Sequence, residues 1–344
     1  MPSAVRPLAV TMGDPAGVGI ELTADAWQTR RDRDQAPFVF IGSADTLEAR
    51  SRAIGRPVAV ARITDLSAAT AAFDTALPVL DLPLAVAARA GVADPANGPQ
   101  IIAAIERAVA LVASGDASAV VTNPIAKSVL YDAGFNYPGH TEFLAALAAR
   151  HWPGAAADPV MMIASQPLKI VPLTIHIPLA KVAGAITTEA IAATVRIMAA
   201  ALRRDFAVAT PRIAVTGLNP HAGEDGAMGR EEIDIIAPAI ARLRTEGIAV
   251  SGPHPADTLF HAAKRSSYDA VLAMYHDQAL IPVKTLAFDS GVNVTLGLPF
   301  VRTSPDHGTA FDIAGKGVAS PVSLVAALDL AAAMSRRRSA AGAS

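Results

Sequence analysis

The chain has 344 residues, of which 52% are hydrophobic and 17% charged, and its formal net charge is −2. This composition excludes an intrinsically disordered chain and gives no indication of a nucleic-acid partner. The sequence contains no cysteine, so disulfides and thiolate metal ligands are excluded and a transition-metal site must use His, Asp or Glu.

The length predicts two lobes, because it exceeds what one small hydrophobic core usually organises. We find neither a signal peptide nor an uncharged apolar run of the about 18 residues that a membrane span requires. We therefore expect a cytoplasmic protein without a membrane partner.

Short β-branched runs alternate with longer Ala- and Leu-rich runs, a pattern typical of an α/β fold with a largely parallel sheet. The predicted strands cover residues 8–11, 38–41, 119–122, 170–174, 212–216 and 270–274. The predicted helices include residues 99–114, 188–203, 230–245 and 322–334. Gly- and Pro-rich segments at 137–139 and 315–321 are possible crossings between lobes. We place the first lobe at 1–137 with 313–344 and the second at 138–312.

Three of the predicted strands are each followed by a histidine, namely His176, His221 and His276. Ligands of open α/β sheets bind beyond the carboxyl ends of the strands, and neutral imidazoles are common ligands of divalent ions. A single histidine at a strand end more often only satisfies local hydrogen bonds. Three in equivalent positions favour a shared catalytic metal site with an open coordination position. Glu224 and Asp277 follow closely and could orient the imidazoles.

Two further segments indicate an anionic ligand. His140 and Thr141 stand at a turn that enters a helix, where free N–H groups attract anions, although an ordinary helix cap with Thr141 as N-cap explains this turn better when it is taken alone. Lys284, Asn293 and Arg302 flank or interrupt an apolar stretch, and such residues can clamp a phosphate or carboxylate.

The loop at 13–19 contains three glycines between a strand and a helix, but it is not a dinucleotide fingerprint. The G-x-G-x-x-G pattern fails because Leu22 stands where the third glycine belongs. The loop is interpreted as a tight turn, and the residues that bind a cofactor stay unassigned.

Taken together, residues 11–19, 138–143, 217–224, 255–260, 274–278 and 291–308 resemble the 4-hydroxythreonine-4-phosphate dehydrogenase family of vitamin B6 biosynthesis. The resemblance implies a two-lobe α/β/α fold like that of isocitrate and isopropylmalate dehydrogenases, which lack the Rossmann fingerprint. It also implies a homodimer with the active site at the subunit interface. Asp14 stands where many members of the family have Glu.

The resemblance further implies roles for individual residues. The metal ligands are expected to be His176, His221 and His276, and Asp257 and Asp277 to orient ligands or act in acid–base catalysis. The residues expected to bind substrate, all of them in the predicted second lobe, are His140, Thr141, Lys284, Asn293 and Arg302.

The implied reaction is an NAD- or NADP-dependent oxidation of 4-phosphohydroxy-L-threonine, assisted by one divalent metal ion (Zn, Mg or Co). Decarboxylation to 3-amino-2-oxopropyl phosphate follows, in pyridoxal phosphate biosynthesis. Three alternatives stay open: a dehydrogenase of erythronate or threonate 4-phosphate or of a dihydrodiol acid, a metal-dependent lyase or aldolase, and a non-catalytic sensor of a phosphorylated ligand.

Overall fold

The structure, a computed structural model, describes residues 6–341. The strands are β1 (Leu8–Thr11), β2 (Phe38–Gly42), β3 (Val60–Ile63), β4 (Leu77–Asp81), β5 (Val120–Thr122), β6 (Val160–Ala164), β7 (Lys169–Thr174), β8 (Arg212–Thr216), β9 (Ala249–His254), β10 (Ala270–Tyr275), β11 (Val292–Leu296) and β12 (Arg302–Pro305). The helices are α1 (Gly19–Gln28), α2 (Ala44–Ala53), α3 (Ala69–Phe73), α4 (Gly98–Ala113), α5 (Lys127–Asp132), α6 (His140–His151), α7 (Leu179–Ala185), α8 (Thr188–Phe206), α9 (Ala237–Thr245), α10 (Ala256–Leu259), α11 (Ala262–Arg265), α12 (His276–Ala287) and α13 (Val322–Ala341).

All the predicted strands and helices are present, and the α/β class is confirmed. One helix differs from its prediction, because the segment 230–245 begins with a π-helical turn at Glu232–Ile236 before α9. Six strands were not predicted, namely β3, β4, β6, β9, β11 and β12. The sequence pattern did not indicate β9 and β12 as strands because they contain Pro253 and Pro305, and proline is rare inside strands.

The first of two compact units comprises the described residues up to Pro159 together with Leu298–Arg336. Its six strands are parallel, in the order β3-β4-β2-β1-β5-β12. The central strands β1 and β2 are buried along their whole length. Burial on both faces explains why these strands are near-continuous apolar runs in the sequence.

The second unit comprises Val160–Gly297 and the described residues from Arg337 onward. Its strand order is β11-β6-β7-β10-β8-β9. Strands β7, β10, β8 and β9 are parallel to one another, whereas β6 is antiparallel to both of its neighbours. The prediction of a largely parallel sheet therefore holds, with β6 as the exception.

The observed boundaries between the two units differ from the predicted ones, which followed residues 137 and 312. Residues 138–159 belong to the first unit because α6 packs on α4, and the Trp152 ring stacks on that of Phe300 with centroids 5.2 Å apart. Residues 298–312 join the same unit through the pairing of β12 with β5. Residues 337–341 fall in the second unit. The predicted first lobe also included 1–5 and 342–344, which lie outside the described residues.

Among the described helices, none alone is long and apolar enough to cross a membrane. Helices α7 and α8 pass that test only when taken together, across a bend of 88°.

Candidate functional site

The three histidines of the second unit follow three adjacent strands. Strand β10 lies between β7 and β8, and all three are parallel, with Thr174 paired to Tyr275 and Val215 to Leu272. Their carboxyl ends therefore meet at one edge of the sheet.

His176 and His276 lie close together at this edge. Their ring centroids are 5.9 Å apart, and both side chains line one cleft of about 290 Å³. Two imidazoles that each bind one metal ion through a nitrogen at about 2.1 Å can have centroids up to about 6 Å apart. The pair therefore fits two ligands of a single ion.

Asp277 fixes the orientation of the His276 ring. Its Oδ1 atom lies 2.7 Å from Nδ1 of His276. This contact leaves Nε2 as the nitrogen that can bind a metal, and carboxylate partners of this kind recur on the histidine ligands of metal sites. The side chain thus has the position expected for a residue that orients a ligand.

His221 lies in a different cleft. It lines a second cleft, of about 380 Å³, together with Asp257, and the side chain of Tyr275 lines both clefts. Within residues 6–341, no group of three or more His, Asp or Glu side chains is arranged to hold a metal ion. Within one chain, His176 and His276 therefore lie together as a pair of expected ligands, and His221 lies apart from them.

The loop that carries His221 has an unusual backbone. Six consecutive residues, 221–226, have positive φ angles, and four of them are not glycine. Left-handed conformations cost L-amino acids roughly 1–2 kcal/mol each. Such a segment persists only where its surroundings hold it, and strained backbone of this kind clusters at functional sites.

A buried glutamate holds the start of this loop. Glu232 accepts backbone hydrogen bonds from Leu218 (2.7 Å) and Asn219 (2.8 Å), and Oε2 accepts one from Asn219 Nδ2 (3.0 Å). Gly217 permits the close approach, because a Cβ there would lie 2.9 Å from Cα of Ala222. The sequence pattern assigned Glu232 no functional role, because its burial, with only 3% of the residue exposed, is not visible in the sequence.

The other residues of the second unit expected to bind substrate lie away from these two clefts. Lys284 lies two turns along α12 from His276, about 12 Å along the helix axis. Its Nζ atom lies 5.2 Å from the centroid of the Phe288 ring. Asn293 is half-buried in β11, where it pairs with Ile163 of β6.

The first unit contains the remaining residues expected to bind substrate. His140 begins α6, and its Nε2 atom is buried without a hydrogen-bond partner among the described residues. Burial, and secondarily the charge of Arg302, hold the pKa of His140 well below its usual value. Burial lowers the pKa of Arg302 to about 10, and its guanidinium donates a 2.6 Å hydrogen bond to Thr122. A neutral imidazole beside a buried cation at a helix N-terminus suits an anionic ligand.

The glycine loop after β1 is a tight turn, as the sequence indicates. Gly13 has a φ of 68°, and a Cβ there would lie 2.5 Å from the carbonyl oxygen of Pro124. Asp14 is buried and accepts a hydrogen bond from the Ala16 amide through Oδ1, and burial raises its pKa.

Comparison with known proteins gives the chain its family. The family model described as pyridoxal phosphate biosynthetic protein PdxA matches residues 33–331. The chain belongs to the PdxA family. The family expected from the motifs is thereby confirmed, a family of oxidoreductases in pyridoxal phosphate biosynthesis.

Relatives within the PdxA family match nearly the whole chain. A 4-hydroxythreonine-4-phosphate dehydrogenase from Bradyrhizobium diazoefficiens is 54% identical over 338 residues, which cover 96% of this chain and 97% of the relative. One from Caulobacter vibrioides is 56% identical over 333 residues, covering 97% and 98%.

Solved structures agree with the PdxA assignment. A 4-hydroxythreonine-4-phosphate dehydrogenase from Klebsiella pneumoniae superimposes with a TM-score of 0.85 at 40% identity, covering 96% of this chain and 99% of that one. A terephthalate 1,2-cis-dihydrodiol dehydrogenase from Burkholderia xenovorans is also similar, with a TM-score of 0.63 at 28% identity, covering 95% and 98%.

Proposed function

We propose that the chain catalyses NAD- or NADP-dependent oxidation of 4-phosphohydroxy-L-threonine, followed by decarboxylation to 3-amino-2-oxopropyl phosphate in pyridoxal phosphate biosynthesis. The observation that carries the proposal is 54% to 56% identity, over nearly the whole chain, to proteins named for this activity. Oxidation transfers a hydride from C3 to the nicotinamide and releases the hydroxyl proton. The β-keto acid then loses CO₂ and takes up one proton at C2.

We infer that His176, His221 and His276 hold one divalent ion, Zn, Mg or Co. The 5.9 Å separation of the His176 and His276 rings supports two of these ligands. When bound, such an ion stabilises negative charge on the C3 oxygen and lowers the pKa of the hydroxyl. The contact of Asp277 with His276 keeps Nε2 of that ring available as a ligand.

The third ligand leads to a proposal about assembly. Because no group of three ligands forms within residues 6–341 of one chain, we propose that His221 completes the site of a second copy in a homodimer. A shared site would also require the left-handed loop, because this loop presents His221 at the surface of its own chain, where the residue is exposed.

The anionic groups of the substrate need separate partners. We propose that the N-terminus of α6, with His140 and Thr141, and the buried guanidinium of Arg302 bind one anionic group. Lys284 and Asn293 are proposed to bind the substrate as well. Fixing both ends of the substrate orients its C3–H bond.

Asp257 is the proposed group for proton movement. Its carboxylate is exposed and lines the same cleft as His221, so it can accept a proton from the hydroxyl of a bound substrate. Exposure also gives the carboxylate a route for releasing that proton to solvent.

The test is an assay of the full chain with 4-phosphohydroxy-L-threonine and either NAD⁺ or NADP⁺, following the absorbance of the reduced nicotinamide. We expect turnover that a chelator abolishes and that Zn, Mg or Co restores. The absence of turnover with both cofactors would contradict the proposal and favour a lyase or aldolase.

A related substrate is the second candidate function. The structural similarity to a dihydrodiol dehydrogenase at 28% identity favours a common site for vicinal hydroxyls beside an anion. The same assay with erythronate 4-phosphate, threonate 4-phosphate and a dihydrodiol acid decides between them, since the physiological substrate should have the largest kcat/KM.

A further inference from the structure

The side chain of Gln278, in the first turn of α12, makes three hydrogen bonds. Its Oε1 atom accepts from the backbone N–H of Met274 (2.7 Å) and from Oγ1 of Thr216 (2.7 Å). Its Nε2 atom donates to the carbonyl oxygen of Gly217 (2.8 Å). The backbone N–H of Met274 can only donate, which fixes the orientation of the carboxamide.

These bonds join the strand ends that carry His221 and His276. The backbone ladder between β8 and β10 ends at the pair Val215 and Leu272. Beyond that pair, Gln278 continues the connection, because Thr216 ends β8, Gly217 follows it directly, and Met274 belongs to the end of β10. Two residues after Met274 the chain reaches His276.

The third strand end is tied to the same point. Oγ1 of Thr174, at the end of β7, donates to the carbonyl oxygen of Met274 (2.8 Å). His176 follows Thr174 by two residues. The peptide groups of Met274 therefore connect, through the side chains of Thr174 and Gln278, the ends of all three strands that precede a histidine.

We propose that Gln278 is a positioning residue, which fixes the strand ends that precede His221 and His276 and thereby sets the affinity of the metal sites to which these two residues contribute. This inference rests on the proposed function, because it takes the histidines to be metal ligands. A carboxamide suits the position since it accepts two hydrogen bonds and donates one. A glutamate can accept the first two, but it would direct a second acceptor at the Gly217 carbonyl.

The inference is tested by measuring the affinity of the full chain for Zn²⁺, by competition with a chromophoric chelator, and the visible absorption of the Co²⁺ form. Loss of residues that orient metal ligands typically weakens metal affinity by about 10- to 100-fold. We expect Gln278→Glu to weaken Zn²⁺ binding within this range and to shift the Co²⁺ bands. Thr216→Val, which removes one donor at constant size, should act in the same direction but less strongly.

The matched control is Gln28→Glu in the first unit. Gln28 also donates through Nε2 to backbone carbonyl oxygens, those of Arg56 (3.0 Å) and Pro57 (3.2 Å). The control therefore makes the same chemical change against the same kind of acceptor. It should bind Zn²⁺ as the wild type does. If Gln278→Glu does not fold, Thr216→Val carries the comparison.

A His276→Ala variant separates this inference from the metal site on which it rests. If His276→Ala loses Zn²⁺ affinity while the Gln278 and Thr216 variants keep wild-type affinity and Co²⁺ spectra, Gln278 is not a positioning residue and the metal site stands. If His276→Ala binds Zn²⁺ as the wild type does, the metal site itself is wrong and the role of Gln278 fails with it.

Discussion

His140, whose Nε2 atom is buried, contributes to the pH dependence of the stability of this protein. The pKa of His140 is held well below its usual value by burial and by the charge of Arg302. In the unfolded chain the same imidazole titrates near its usual value of about 6.5. Below that pH the unfolded state binds more protons than the folded state, so His140 destabilises the fold as the pH falls, and it has no such effect above about pH 7.

Replacing His140 should remove this pH dependence. We expect the free energy of unfolding of the wild type, minus that of His140→Gln, to be constant above about pH 7 and to fall below about pH 6. The slope should not exceed about 1.4 kcal/mol per pH unit, the limit for one proton. Urea unfolding of both proteins across this range measures the difference. If the wild-type value minus the variant value instead increases as the pH falls, the folded state stabilises the imidazolium.

At the level of secondary structure, elements with a strong local pattern could be predicted and those held by distant contacts could not. Strands β7, β8 and β10 are apolar runs with clear boundaries, so their ends, and the histidines that follow, were predictable. The left-handed turn after β8 depends on Glu232, which no local rule connects to that loop.

The first unit shows the same limit at its anionic site. Arg302 and Thr122 are 180 positions apart in sequence, and β12, which carries the arginine, has too little apolar pattern to be predicted as a strand. The sequence did identify Arg302 and His140 as candidate anion-binding residues, from their local context and from resemblance to a family. Their burial, and its effect on both pKa values, required the packing of the unit.

One ion-pair cluster ties the end of α13 to α8 within the second unit. Asp205 is fully buried, and each of its carboxylate oxygens accepts hydrogen bonds from both Arg204 and Arg338, at distances of 2.6 to 3.0 Å. Burial alone would raise the pKa of Asp205, but the hydrogen bonds from the two arginines outweigh it and lower the pKa. The stabilising effect of the ionised Asp205 carboxylate is therefore present at neutral pH and is lost only as the pH falls through the lowered pKa.

Asp205→Asn should destabilise the protein by about 3 kcal/mol at neutral pH, because it leaves the partly buried Arg338 without a carboxylate partner. Asp234→Asn is the control, since Asp234 forms an exposed pair with Arg230 in the same unit, and its loss should cost less than about 1 kcal/mol. Chemical denaturation at constant pH measures both. Equal losses in the two variants would show that burial of Asp205 adds nothing to its ion pairs.

At the scale of the whole molecule, the separation of His221 from the pair of His176 and His276 determines how active sites should be assembled. Suppose that each metal site takes that pair from one chain and His221 from the other. A His221→Ala chain then still supplies an intact pair, and a His276→Ala chain still supplies His221. Either variant alone is expected to be inactive, because every site in its homodimers lacks one ligand.

Mixed dimers of these two inactive chains should recover activity. Co-expression with two different affinity tags and purification on both isolates dimers that contain one chain of each kind. One of their two sites has all three histidines, so we expect about half of the wild-type turnover per dimer, with wild-type KM. Metal content should follow the same ratio. Mixed dimers as inactive as their parents would mean that all three ligands come from a single chain, and that the loop of His221 closes onto its own His176 and His276 when the ion binds.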